Sequence, residues 1–165
     1  KDDAQWVVVH DKAFFDALPN SAQKVFFETL APKNYLETLT SCDISLLPLA
    51  DTNFNSFKSD LKFVESCAAG SVPVCSPVVY DIEPAHADLA IFATSAHDWY
   101  EGIVTLVRDH ARRRSLAKLG IDYVKCQRMH SYQVVVRESF YKGLVASRAK
   151  LERQRLERIS SSNAR

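Results

Sequence analysis

Five short runs of nearly continuous apolar residues constrain the fold of this chain more than any other feature. These runs cover residues 6–10, 24–29, 43–49, 72–76 and 89–93. Helical patterns separate or follow them, at 12–18, 34–41, 57–69 and from 96 to about 159, with a break at Gly120. Apolar runs without alternation are typical of parallel strands covered on both faces. The alternation of strand and helix predicts an α/β, Rossmann-like parallel sheet with helices on both faces, followed by C-terminal helices. The run at 43–49 is expected to be a central strand.

The composition excludes two broad classes of protein. A hydrophobic content of 47% over 165 residues supports one domain with an extension and excludes a disordered chain. The 21 basic residues nearly balance the 20 acidic ones, so no overall field favours nucleic acid as a partner. Recognition is therefore expected to be local.

Cysteine usage and hydropathy indicate a cytoplasmic protein. The cysteines Cys42, Cys67, Cys75 and Cys126 form no CxxC pair and no zinc-ligand spacing with the histidines, so we expect buried, reduced thiols. No apolar run approaches the roughly 18 residues of a membrane span, and the first residues lack the apolar stretch of a signal peptide. Contact with a membrane surface is compatible with this sequence.

The segment from residue 148 differs from what precedes it. Six basic residues, Arg148, Lys150, Arg153, Arg155, Arg158 and Arg165, accompany two acidic ones, Glu152 and Glu157. The local charge of +4, together with Leu151, Leu156 and Ile159, is compatible with a basic helix on an anionic membrane or a partner, or with a solvated, frayed helix end. The chain is therefore divided into a Rossmann-like domain at 1–147 and a basic tail at 148–165.

The helical pattern at 57–69 carries the most chemistry. Phe57, Leu61, Val64 and Ala68 have the spacing of one apolar stripe, which predicts a core-facing side. Lys58, Lys62 and Glu65 repeat that spacing one position later and form a polar ridge beside it.

Two interpretations of this ridge remain open on spacing alone. Lys58 would stand in the first helical turn, where the positive end of the helix dipole disfavours a cation. A bound phosphate would compensate both the positive end of the dipole and the lysine charge. Glu65 could then accept hydrogen bonds from ribose hydroxyls. The alternative is a set of surface ion pairs such as Lys62 with Glu65, each worth little.

Several motifs in order resemble the C-terminal domain of group 1 retaining glycosyltransferases of the GT-B fold. They are Tyr35-Leu36, then SCDISLLPL at 41–49, KSDLKFVE at 58–65 and GSVPV at 70–74, and the likeness extends over most of residues 6–142. In that family a strand of the type "aD-hydrophobic-Pro" is followed by a loop, a glutamate-bearing helix and a "G-x-P-V" strand.

The resemblance implies a donor-binding domain for a nucleoside-diphosphate sugar, here with no cofactor and no metal. It implies that Glu65 holds the donor ribose, that the loop and helical turn with Lys58, Ser59 and Lys62 hold the diphosphate and sugar, and that Leu30 and Ala31 border the base. The acceptor would be bound by an N-terminal domain outside this chain. We therefore expect the chain alone to transfer no sugar.

The chain departs from the family pattern in two places. Phe57 stands eight positions before Glu65, where many members carry a second glutamate. The family's first strand of this domain, with a loop that usually supplies an Arg and a Lys, is expected to precede residue 6. These departures keep a second interpretation open, a non-catalytic nucleotide- or protein-binding module of the same fold.

Motifs of other functional classes are missing from the sequence. There is no GxGxxG or Walker loop and no HExxH, and the acidic residues of a receiver domain do not follow the first strand. The histidines are each expected to be structural.

Overall fold

The computed structural model describes residues 4–81 and 84–162. Internal contacts divide the chain into two units, 1–125 and 126–165. The strands are β1 (Gln5–Val9), β2 (Gln23–Phe27), β3 (Ile44–Leu47), β4 (Val72–Cys75) and β5 (Ile91–Phe92). The helices are α1 (Lys12–Ala17), α2 (Pro32–Thr40), α3 (Asn53–Ser56), α4 (Leu61–Ala69), α5 (Ala96–Arg108), α6 (His110–Tyr123), α7 (His130–Ala146) and α8 (Arg148–Ser162). A 3₁₀ turn (Pro84–Asp88) and a π-helical turn (Val124–Arg128) complete the elements.

The strands form two parallel ladders, which confirms the predicted α/β class. β1 pairs with β2, with Val7 opposite Val25, and the second ladder has the order β3-β4-β5. The prediction that 43–49 is central is wrong in this second sheet, where β3 lies at an edge and β4 in the middle. β4 is buried at every residue because it has a strand on each side and helices on both faces.

The core lies on the two faces of β4. Val72 and Val74 point to one face and contact a cluster with Leu106 of α5, whereas Cys75 joins the other face with Phe63 of α4. This alternation is the normal period of a strand. The predicted helices on both faces of the sheet are therefore present around β4.

The predicted helix at 57–69 is wrong at its start. α3 ends at Ser56 and α4 begins at Leu61, so the proposed core stripe is not formed. Phe57 is 89% exposed and Leu61 is 55% exposed, while Phe63 and Cys67 are buried instead. Residues 63 and 67 are one helical turn apart, and their face, not that of Phe57, packs on the sheet.

An aromatic cluster around His86 belongs to the core on the α4 face of the sheet. His86 is fully buried, and its Nδ1 lies 2.6 Å from the Tyr80 carbonyl oxygen while Nε2 lies 2.8 Å from the Tyr123 hydroxyl. The imidazole also stacks on Phe63, at 4.6 Å between ring centroids. Both ring nitrogens are thus satisfied, and His86 has the structural role expected of it.

The four cysteines do not share one environment. Cys67 and Cys75 are buried, and burial raises the pKa of both thiols to about 12. Cys42 is partly buried, and Cys126 is exposed. The prediction of buried thiols is therefore wrong for Cys126, an exposed residue of the π-helical turn.

The second unit consists largely of helix. In α7, Val135 and Val145 are 68% and 75% exposed, and Phe140 is 61% exposed. The basic segment from residue 148 is the helix α8, in which Leu156 is 58% exposed. None of the helices in the described part of the chain combines the length and hydropathy needed to cross a membrane. The division after residue 147 stays a prediction.

Gly120 does not break the helical series, contrary to the sequence prediction. It lies inside α6, and the interruptions occur instead at Asp109, Met129 and Ser147. A Cβ added at Gly120 would lie 3.2 Å from both Cβ and Sγ of Cys67 and 3.4 Å from its Cα. The glycine therefore allows α6 to approach α4 closely.

We predict that Gly120→Ala is less stable than Gly143→Ala, each measured against the wild type. Both substitutions gain helix propensity of up to about 1 kcal/mol, but a Cβ at Gly143 meets nothing within 4 Å. The contact with Cys67 should lower the free energy of unfolding of the Gly120 variant by roughly 1–3 kcal/mol relative to the Gly143 variant. Urea unfolding measures this difference, and equal stabilities would contradict the close approach.

Candidate functional site

Helices α2 and α4 bring three polar or aromatic side chains together. The Lys62 Nζ lies 3.1 Å from Glu65 Oε2 and 4.0 Å from the ring centroid of Tyr35. The Glu65 side chain is only 24% exposed, whereas that of Lys62 is 52% exposed. The predicted ridge residues Lys62 and Glu65 are thus neighbours, with Tyr35 across from them.

The electrostatics of this cluster favour a charged lysine. Partial burial alone would lower the pKa of Lys62, but its contacts with Tyr35 and Glu65 outweigh burial and raise that pKa. Burial raises the pKa of Tyr80, with a further increase from Cys75, while Lys62 opposes the shift. Since Tyr80 follows β4, the loop after this strand lies within electrostatic range of the cluster.

Lys58 and Ser59 lie in the loop between α3 and α4. The prediction that Lys58 stands in the first turn of the helix is wrong, because α4 begins three residues later. Its Nζ instead lies 5.3 Å from the ring centroid of Phe54, a residue that is 78% exposed. Asp60 occupies the N-cap position, and its carboxylate suits the helix dipole without any bound phosphate.

Leu30 and Ala31 lie where β2 leads into α2. Ala31 is the N-cap residue of α2, and its carbonyl accepts a hydrogen bond of 2.9 Å from the Tyr35 backbone N–H. Tyr35 is therefore one turn from Ala31 and contacts Lys62. The predicted base-bordering residues and the Lys62–Glu65 pair are connected through the first turn of α2.

Some helices of the first unit have a side chain that hydrogen-bonds to the backbone N–H groups at their start, and others do not. Asp11 caps α1 and Asp109 caps α6, whereas Ser95 and Asp98 form a capping box on α5. Hydrogen bonds from Ser95 and Thr94 hold the pKa of Asp98 well below its usual range. By contrast, α2 and α4 have no side-chain cap hydrogen bond. Their first-turn N–H groups, beside the cluster, have no side-chain acceptor of this kind.

Sequence reasoning missed His10 as a candidate site residue. It follows β1 directly, has a φ of 71°, and its Nδ1 lies 2.9 Å from Oγ1 of Thr29. A polar residue directly after a predicted parallel strand is the signal that could have identified it, because ligands bind at the carboxyl edge of such sheets.

Neither a search for metal-binding groups nor comparison with known proteins assigns a function to this site. Among the described residues, no group of three or more His, Cys, Asp or Glu side chains is placed to hold a metal ion. No protein-family model matches the sequence, and no curated protein is significantly similar to it.

We predict that Lys62→Gln lowers the free energy of unfolding by about 0.5–1.5 kcal/mol at neutral pH. This is the combined range for an exposed cation–π contact and a surface ion pair. Lys33→Gln is the matched control, because Lys33 and Glu37 are 3.8 Å apart and highly exposed, and it should change stability by less than about 0.5 kcal/mol.

The effect of Lys62 should also depend on pH. Because the folded-state pKa is raised above the usual value of 10.5, the stabilisation is fully present below that value and is lost as pH rises through the folded pKa. Urea unfolding of both variants at pH 7 and pH 11 measures this, and a pH-independent difference would contradict the ionic contact.

Proposed function

We propose that the chain is the donor-binding domain of a retaining GT-B glycosyltransferase, which transfers a sugar from a nucleoside-diphosphate sugar. The observation that carries this proposal is the half-buried Glu65 held by Lys62 beside the start of α2. The starts of α2 and α4 and the loop before Tyr80 each follow the carboxyl end of a parallel strand. That edge is where doubly wound folds bind nucleotides.

Glu65 is suited to hold the two hydroxyls of a ribose. One of its oxygens, Oε2, accepts from Lys62, and a carboxylate has further lone pairs for hydroxyl donors. The ion pair fixes the carboxylate in position before the ligand arrives, which lowers the entropy cost of binding.

The diphosphate would lie near Lys58, Ser59 and Lys62. The α2 start adds N–H groups without a side-chain cap, a favourable environment for an anion. Asp60 makes the first turn of α4 a poorer anion site, so the two flanking lysines would supply the positive charge. Stabilising the leaving diphosphate and orienting the donor would be this domain's share of catalysis.

The strand orders support the same fold. The orders β2-β1 and β3-β4-β5 match positions 3-2 and 4-5-6 of the order 3-2-1-4-5-6 that is typical of dinucleotide-binding sheets. The position of strand 1 has no counterpart among the described strands, and the expectation that the family's first strand precedes residue 6 stays a prediction. We further propose a cytoplasmic location, with an N-terminal acceptor-binding domain as the catalytic partner.

One observation favours a second candidate function, a non-catalytic nucleotide- or protein-binding module. Phe57, which stands at the position of the family's other glutamate, is 89% exposed and contributes no acidic group. Such a module would bind a nucleotide but would lack the contact to the transferred sugar.

We predict that UDP, GDP, CMP or one of their sugars raises the melting temperature of the protein. A ligand at a hundred times its Kd adds roughly 2.7 kcal/mol, which at about 2–4 °C per kcal/mol for a chain of this size corresponds to a shift of roughly 5–11 °C. Differential scanning fluorimetry over this panel measures the shift. The proposed nucleotide site is wrong if none of these compounds has an effect at millimolar concentration.

We predict that Glu65→Gln weakens binding of the active nucleotide by roughly 1.5–3 kcal/mol, the range for a hydrogen bond to a charged group. Its free energy of unfolding should change by less than about 1 kcal/mol. The 2′-deoxynucleotide should lose less affinity, because it lacks one of the two hydroxyls. Calorimetry measures these affinities, and Glu37→Gln, in the exposed ion pair with Lys33, is the control that should bind normally.

Equal losses for the ribose and deoxyribose ligands would assign Glu65 a general electrostatic role. A melting temperature lowered by more than about 4 °C without ligand would assign it a structural one. Either result would exclude the ribose contact.

A further inference from the structure

His10 has a backbone conformation that its side chain does not favour. Among the described residues it is the non-glycine residue with a positive φ, at 71°. Its backbone is fixed, since its N–H donates to the Phe27 carbonyl at 2.9 Å and its carbonyl accepts from Lys12 N–H at 2.9 Å. Glycine would adopt this conformation without strain. A positive φ costs a histidine more than a glycine, so the backbone conformation alone would favour glycine over histidine at this position.

The His10 imidazole is held in place although the residue is exposed. Its Nδ1 lies 2.9 Å from Oγ1 of Thr29. In the register of the two strands Val9 lies opposite Phe27, so both residues stand just beyond the carboxyl ends of adjacent parallel strands. A ring oriented at this edge faces the side of the sheet where such folds bind their ligands.

A continuous series of contacts connects this pair with Glu65. Leu30 and Ala31 follow Thr29 in the chain, and Ala31 is the N-cap residue of α2. The Ala31 carbonyl accepts a hydrogen bond from the Tyr35 backbone N–H across one helical turn, a rise of about 5.4 Å. Tyr35 in turn contacts Lys62, the partner of Glu65. His10 and Glu65 are thus connected to the two ends of the first turn of α2, through Thr29 and through Lys62 respectively.

We propose that His10, oriented by Thr29, contacts the nucleobase of the donor and contributes to base specificity; this inference rests on the proposed function. With Nδ1 engaged by Thr29, the other ring nitrogen, Nε2, offers a hydrogen bond to a polar group on the base edge. The flat imidazole also provides a surface on which a base can stack. The ribose then reaches Glu65 along the α2 start.

The test uses His10→Gly, His10→Asn and Thr29→Val, with Thr40→Val as the control. Glycine and asparagine tolerate the positive φ, so these variants should melt at or above the wild-type temperature. The probes are UDP, GDP and inorganic pyrophosphate, and the measurement is calorimetric affinity. Thr40 is an exposed threonine at the other end of α2, and its hydroxyl donates to the Glu37 carbonyl.

For the nucleotide that binds the wild type more tightly, we expect both His10 variants and Thr29→Val to lose affinity about 3- to 10-fold, the effect of one hydrogen bond. The preference between UDP and GDP should narrow. Affinity for pyrophosphate should be unchanged, and Thr40→Val should behave as the wild type.

Wild-type affinity for UDP or GDP that persists in His10→Gly would overturn the base contact and leave the proposed function standing. An equal loss for pyrophosphate, or a lower melting temperature of His10→Gly, would assign His10 a general or structural role and overturn it as well. Wild-type protein that binds neither nucleotide would overturn the proposed function, and the base contact with it.

Discussion

The packing of α4 against both β4 and α6 is the constraint on which the rest of the first unit depends. Phe63 and Cys67 bury one face of this helix in the core beside β4, and Gly120 lets α6 approach Cys67 closely. With that face fixed, Lys62 and Glu65 lie at the margin of the core, where they meet Tyr35 of α2. A rotation of α4 by one residue, about 100°, would remove Glu65 from this position.

The candidate site is assembled from short polar contacts at the ends of a parallel sheet. Four of the six described helices of the first unit have an Asp, Ser or Thr side chain that caps their start, but α2 and α4 do not. The same two helices carry the Tyr35–Lys62–Glu65 cluster. The start of α2, without a side-chain cap, and a fixed ion pair beside it support the proposal of an anionic ligand with hydroxyl groups. This local charge pattern is consistent with a chain that has almost no net charge.

Much of the fold could be predicted because its local signals agree with each other. The run at 72–76 is apolar and has Pro73 early in the strand, and the structure buries all of β4. Gly70 has a φ of 76° and ends α4, as expected of a glycine at a helix C-cap. The contact of Lys62 with Glu65 could also be predicted, because residues three apart are neighbours on a helix.

The sequence by itself determined the alternation of strands and helices and the pairing of Lys62 with Glu65, since both depend on neighbours within one or two turns of chain. The parallel pairing of the strands followed from that alternation, because a helix between two strands returns the chain to the same edge of the sheet. Only the tertiary structure determined the start of α4, the exposure of Phe57 and the position of Gly120 within a helix. Those features depend on which face packs on β4 and how closely α6 approaches, and residues distant in sequence determine both. The contact of His10 with Thr29 has the same origin, because strand register brings together side chains 19 positions apart.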